Sequence, residues 1–335
     1  MVTNPGSPEW WASVDDVRWF ASNPYTTLVV PELRRSGLRI ALQGNAPARV
    51  ALAMSGRVAE PAWRYARATR AALVLYLWDL PPKGTASGKA DPIWWVGGRF
   101  LRLPRMVGGY RQRAGYYSRL RFIASRADQL WTASEFTAGL VRERFGVRGT
   151  PVPYCYDSSR FRFSSGSRDL PPVLLTVSRL EIHKNQEAVL RAAALIGDRV
   201  QVRLIGRGPE EGRLRRLGTE LGLRASVETG ADDPTVEHAY RTASVAVFPS
   251  RFEGFGLGPI EALASGTPVV ASDIPAHREF IGRAVPLVPP DDPATIAEAV
   301  SRALTGQAPD PSAVDHLTIP AAAGRLMARL TALLR

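Results

Sequence analysis

The stretch SVAVFPSRFEGFGLGPIEALASGTPVVAS, residues 244–272, decides the fold. An apolar run (SVAVFPS, 244–250) enters a glycine-rich loop, Gly258 and Pro259 start a helix, and a second apolar run (TPVVAS, 267–272) follows. Strand, loop, helix and strand at this spacing make a βαβ unit, and such units build parallel sheets.

The same alternation runs outward in both directions. Before 244, strands are expected at VLLTVS (173–178), VQVRLIG (200–206) and ASVET (225–229), with helices between them. Further back, SSRFRFSSGSRDLPP (158–172) has the Ser, Arg and Pro composition of a linker. Ahead of it the pattern predicts strands at VRWFA (17–21), LRIALQG (38–44), RVALAM (49–54), ALVLYLW (72–78) and QLWTAS (129–134). Helices are expected at about 58–70 and 135–145, and over 23–37 with Asn23 as N-cap, Pro24 first in the helix and Gly37 as the stop. The expectation is an α/β protein of two doubly wound, Rossmann-like parallel-sheet domains: 1–160, a linker at 161–172, and 173–320. A terminal helix at 321–335 docks back on the first.

At 335 residues, 45% hydrophobic and 22% charged, the chain has material for two ordinary cores. The longest apolar run, residues 71–78, is far short of the ~20 residues of a membrane span. The start MVTNPGSPEWW has neither a basic beginning nor an apolar core, so no export signal is read, and the lone Cys155 fits a reducing, cytoplasmic setting. A net charge of +12 attracts polyanions: nucleic acid, an anionic membrane face or phosphorylated substrates. That charge is almost all arginine; lysine occurs only at Lys83, Lys89 and Lys184.

In parallel α/β domains ligands lie beyond the carboxyl ends of the strands. SRLEIHKN, after the strand at 173–178, offers Arg179 and Lys184 just ahead of a helix near Asn185, which suits a phosphate, though a solvated loop reads the same way. GRGP brings Gly206 and Gly208, which let backbone approach a ligand closely; a plain turn explains them equally well. Glu253 sits in a loop whose Gly254, Phe255 and Gly256 amides suit an anion, and Glu261 falls eight residues on, in the first turn of the next helix. An acidic first-turn residue is also favoured by the helix dipole alone. The Asp pairs at 232–233 and 291–292 each precede a proline and read as N-cap plus first helical position, not as metal ligands.

Together, SRL…HKN, IGRGP, VFPSRFEGFGLGPIEALASGTPVVASDIPAHRE and VPPDDPATIAEAV resemble the donor-binding domain of retaining GT-B glycosyltransferases of the GT4 type, over about 173–304. RADQLWTASEFTAGLVRERFG and ALVLYLWDLPP resemble parts of that family's first domain. The resemblance implies a nucleoside-diphosphate sugar donor (UDP-, GDP- or TDP-linked), no tightly bound cofactor and no required metal, and two domains facing a cleft. Arg179 and Lys184 would hold the diphosphate, with Gly206 and Gly208 nearby. Glu261 would take the ribose hydroxyls. Glu253 would contact the sugar beside the Gly254–Leu257 segment. Front-face substitution is the implied route to retention, with Glu253, Lys184 and Arg179 as its catalytic groups.

Two features depart from the family. ASNPYTT stands where many relatives carry a Gly-Gly loop, and Trp78-Asp79 stands where many carry His-Asp. Asp79 is then a candidate for acceptor contact or activation, a further catalytic group beside Trp78 on the acceptor side. Between 99 and 126, Arg99, Arg102, Arg105, Arg111 and Arg113 interleave with aromatics, either as a solvated helix face or as a contact for a polyanion such as DNA or an anionic membrane. A lipid-linked or glycan hydroxyl, a small molecule, and a modified DNA base stay open as acceptors. A nucleotide-sugar binder without transfer, or a GT-B epimerase, is the rival class. Peripheral contact with a membrane would accompany the lipid-linked case.

Overall fold

The structure, a computed structural model, describes residues 15–20, 25–42, 47–78, 80, 95–96, 99–100, 115–163, 168–307 and 309–335. These group into two compact units. One gathers the described residues within Met1–Leu80, Leu103–Cys155 and Ile319–Arg335; the other gathers those within Pro81–Arg102 and Tyr156–Thr318. Among the described residues no helix is long and apolar enough to cross a membrane.

The first unit contains β1 (Asp15–Phe20), α1 (Tyr25–Arg35), β2 (Ile40–Ala41), β3 (Ala48–Ala53), α2 (Ala59–Thr69) and β4 (Ala72–Leu77). It continues with a helix over 115–124, here α3, then β5 (Gln129–Thr132), α4 (Glu135–Phe145), β6 (Thr150–Pro151) and the terminal helix Ile319–Leu334. Its six strands lie in the order β2-β1-β3-β4-β5-β6, all parallel, with Val17 opposite Val50 and Tyr76 opposite Trp131. Leu75, Leu77, Leu120, Ile123 and Val141 close a core between sheet and helices. Of the strand expected over 38–44, Ile40–Ala41 pairs in the sheet, the Arg39 N–H turns to the Asp16 carboxylate, 3.0 Å away, and residues 43–44 lie outside the described residues. Helix α1 carries Pro31 in its interior, and Gly37 ends the stretch at φ +97°; Asn23 and Pro24 lie outside the described residues. Ser134 caps α4 by accepting the Thr137 N–H at 3.0 Å, and Gly146 closes it in the left-handed region.

The second unit contains β7 (Val173–Val177), α5 (Gln186–Ile196), β8 (Gln201–Ile205), α6 (Glu211–Glu220), β9 (Ala225–Glu228), α7 (Asp233–Thr242), β10 (Val245–Phe248) and α8 (Leu257–Ala264). Beyond them come β11 (Val269–Ser272), α9 (Pro275–Phe280), β12 (Leu287–Val288) and α10 (Pro293–Thr305). The parallel order is β9-β8-β7-β10-β11-β12. The chain winds one way from β7 to β9 and the other way from β10 to β12. Its direction reverses between β7 and β10, the place where such sheets open a crevice for ligands. Leu174, Leu204, Val245, Val247 and Val270 form the sheet's share of the core, with Val189, Leu190, Ile296 and Val300 from α5 and α10.

Residues read as linker are bonded to this unit. Arg168 donates to the carbonyls of Arg241, Ala243 and Gly266 at 2.9, 3.1 and 2.6 Å, and the Asp169 N–H donates to Thr242 O at 2.8 Å. Asp232 caps α7 with Asp233 first in the helix, as expected. At 291–292 the expectation fails by one residue: Pro293 takes the first helical position, so Asp292 is the cap, and Asp291 turns to Arg251 at 2.7 Å.

Candidate functional site

The loops after β7 and β10 meet at the reversal point. Lys184 leaves a short 3-10 turn (Ile182–Lys184), and its ammonium lies 2.5 Å from Glu253 Oε1, with both side chains largely buried. Ser250 Oγ donates to the same oxygen at 2.8 Å. Burial alone would push the Glu253 carboxyl up. The Lys184 ammonium, nearby His277 and the bonds from Lys184 and Ser250 outweigh it and hold the group below the usual carboxylate range. Glu253 is therefore an ionised carboxylate with a fixed cation beside it.

The lysine's loop is clasped from below. The Arg251 N–H donates to His183 O and its guanidinium to Ile182 O, both at 2.8 Å. Asn185, at φ +56°, donates its side-chain amide to Pro290 O at 2.6 Å. Helix α5 then begins without a side-chain cap, and so does α8, whose Gly256 sits at φ +91°. Their first N–H groups stay available to an anion. Arg179, half exposed, pairs with Glu181, and Gln186 Nε2 donates to Arg179 O at 2.8 Å.

Glu261 takes a different path. Helix α8 starts at Leu257, so Glu261 falls in the second turn, not the first, and the dipole account of an acidic first-turn residue does not apply. Tyr240 OH donates to Glu261 Oε2 at 3.4 Å. Burial pushes this carboxyl up to about 8, against the opposing charge of Arg160, which Asp233 and Glu237 hold at 3.0 and 2.8 Å. Two glutamates eight residues apart thus have opposite environments, one ionised and one neutral at pH 7.

Gly206 and Gly208 are required for a reason other than ligand approach. A Cβ at Gly206 would stand 1.8 Å from Ser178 O, and one at Gly208 2.2 Å from Leu180 O. Their backbone lies against the Arg179 loop, with Leu180 N–H donating to Arg207 O at 2.9 Å. Gly254 and Phe255 are buried, and the Phe255 ring packs on Phe280 at 4.4 Å. In the first unit the Trp78 indole N–H donates to Met54 O and its ring packs on Tyr154 at 4.8 Å. Asp79, Arg102, Arg105, Arg111 and Arg113 lie outside the described residues, and Arg99 is described only as backbone in a short antiparallel pair (Trp95–Val96 with Arg99–Phe100). Sequence reasoning passed over His183, Arg160, Tyr240, Ser250, Arg251 and His277. Arg160 lay in a linker-like composition, and His277 had only its rarity among four histidines to mark it.

Comparison with known proteins agrees with this geometry. The profile of the family described as glycosyl transferases group 1 matches residues 157–315. An uncharacterized glycosyltransferase of Methanocaldococcus jannaschii is 36% identical over 151 residues, 43% of this chain and 39% of the relative. A D-inositol 3-phosphate glycosyltransferase of Thermomonospora curvata is 35% identical over 39% of this chain and 34% of its own length. The chain therefore spans well under half of these relatives. Among solved structures, sucrose-phosphate synthase from Thermosynechococcus elongatus aligns with a TM-score of 0.63 at 21% identity, over 86% of this chain and 70% of that one. Anabaena HepE, solved with UDP-glucose, aligns at 0.62 and 16% identity over 95% and 89%. Residues 157–315 are thus similar to the glycosyl transferases group 1 family, and the two parallel-sheet units have the GT-B fold.

Proposed function

We propose that the protein is a retaining glycosyltransferase that moves a sugar from a nucleoside-diphosphate sugar to an acceptor hydroxyl without a metal ion. The observation that carries the reading is the buried Lys184–Glu253 pair at the sheet's reversal point, with Glu261 eight residues further on. In this reading Lys184 and Arg179 meet the diphosphate, and the uncapped starts of α5 and α8 add partial positive charge as the leaving group develops its own. Glu253 accepts hydrogen bonds from sugar hydroxyls, and Glu261 takes the ribose. The bond from the anomeric carbon to the diphosphate oxygen breaks as the acceptor oxygen bonds the same face. The acceptor's proton passes to the departing phosphate oxygen. The first unit serves the acceptor, a glycan, lipid-linked or small-molecule hydroxyl; a hydroxylated DNA base is the alternative.

The test incubates the protein with UDP-, GDP- and TDP-sugars and follows nucleotide release, with and without a chelator. Slow release that survives the chelator and is lost in Lys184→Ala supports transfer chemistry. Binding with no turnover on any donor and acceptor would favour the binder, and a product with inverted anomeric configuration would remove retention.

A further inference from the structure

His277, on α9, is 1% exposed. Its Nδ1 lies 2.9 Å from Ser272 O, and since a carbonyl only accepts, Nδ1 carries the proton. Ser272 Oγ donates to Ser250 O at 2.5 Å, and Ser250 Oγ donates to Glu253 Oε1 at 2.8 Å. A buried polar ladder therefore joins the imidazole to the carboxylate. Burial holds the ring's pKa below its usual value, so Nε2 keeps a lone pair at neutral pH.

Among the described residues that nitrogen has no hydrogen-bond partner. The ring edge lies against the glycine loop: a Cβ at Gly256 would stand 3.1 Å from Cδ2 and 3.2 Å from Nε2. The ring cannot turn to satisfy Nε2 without giving up Ser272 O. Buried acceptors left unpaired are rare and unfavourable, and this one borders the Glu253 loop.

We infer that His277 Nε2 is the acceptor for a hydroxyl of the donor's sugar, making His277 a sugar-recognition residue beside Glu253. This rests on the nucleotide-sugar reading above. A site built to bond a hydroxyl discriminates strongly against a ligand that lacks it, so the residue acts on the sugar and not on the nucleoside diphosphate.

The experiment compares affinities for the pairs UDP and UDP-glucose, GDP and GDP-mannose, and TDP and TDP-glucose. It uses the wild type and His277→Asn, whose amide still donates to Ser272 O but offers no second ring nitrogen. The expected result is about a tenfold loss for the sugar nucleotide, the scale of one hydrogen bond, with the bare diphosphate unchanged. In parallel, the imidazole nitrogen spectrum of the wild type should show the Nε2 resonance move on adding the sugar nucleotide but not the diphosphate. Equal losses for both ligands would mean the ring only shapes the loop, and an Nε2 resonance indifferent to the sugar would mean a buried water satisfies it; either overturns the inference. If the wild type binds no nucleotide sugar at all, the donor reading itself fails, and that is seen before any variant is compared.

Discussion

Glu253 and Glu261 are the same residue type, yet their surroundings give them opposite charge states. Lys184→Ala would leave the Glu253 carboxylate buried and unpaired, at a cost of about 3–5 kcal/mol in chemical denaturation. Replacing both partners, as Lys184→Met with Glu253→Leu, should restore most of that stability while turnover stays absent, separating folding from chemistry. Lys184→Arg should lower donor affinity, because a guanidinium fork needs more room than a point charge; wild-type kinetics would refute this. For Glu261 the sign runs with the proton. Its native pKa lies near 8 against an ordinary value of 4.5, so the native state prefers the neutral form. That stabilisation is complete below about pH 4.5 and is lost as pH climbs toward 8. At ~1.4 kcal/mol per unit it amounts to a few kcal/mol at most. The melting temperature should fall across that window, and Glu261→Gln should flatten the fall. The glutamates themselves are legible in the sequence. Their charge states are not, since Arg160, Tyr240 and Lys184 come from other loops and helices.

At the scale of elements, local chemistry was legible wherever the signal was local. Helix α4 occupies Glu135–Phe145 as its pattern predicts, with Ser134 and Gly146 at its ends. Short-range capping resolved Asp232 but missed Asp291, whose partner Arg251 is forty residues away in sequence. The glycines of GRGP are the sharper case. Gly206→Ala would drive a methyl into Ser178 O and displace the Arg179 loop, and should cost ~2 kcal/mol or more with a matching loss of nucleotide affinity. Gly222→Ala, at φ +65° with open space around it, should cost only about 1 kcal/mol and leave binding intact. Parallel denaturation curves and nucleotide titrations distinguish the two.

At the scale of the whole molecule, the net charge of +12 has a describable home in the first unit. Arg126 stacks 3.6 Å over exposed Phe122, whose ring meets Trp63 at 5.6 Å, and Arg67 covers Trp63 at 5.1 Å. Arg119 and Arg121 stand exposed on the same helix. Sedimentation with anionic lipid vesicles should be strong at low salt, fall steeply as salt rises, and weaken in Phe122→Ser. Retention on DNA-cellulose without vesicle binding would instead favour a nucleic-acid acceptor. The sequence by itself determined the alternating elements, the parallel architecture and the residue types that collect at the strand ends, because periodicity and turn chemistry act over a few residues. Only the tertiary structure decided that Lys184 meets Glu253, that Gly206 and Gly208 make room for a neighbouring loop, and that His277 lies beneath Gly256. Those contacts join segments tens of residues apart, and burial there sets both the charges and the space.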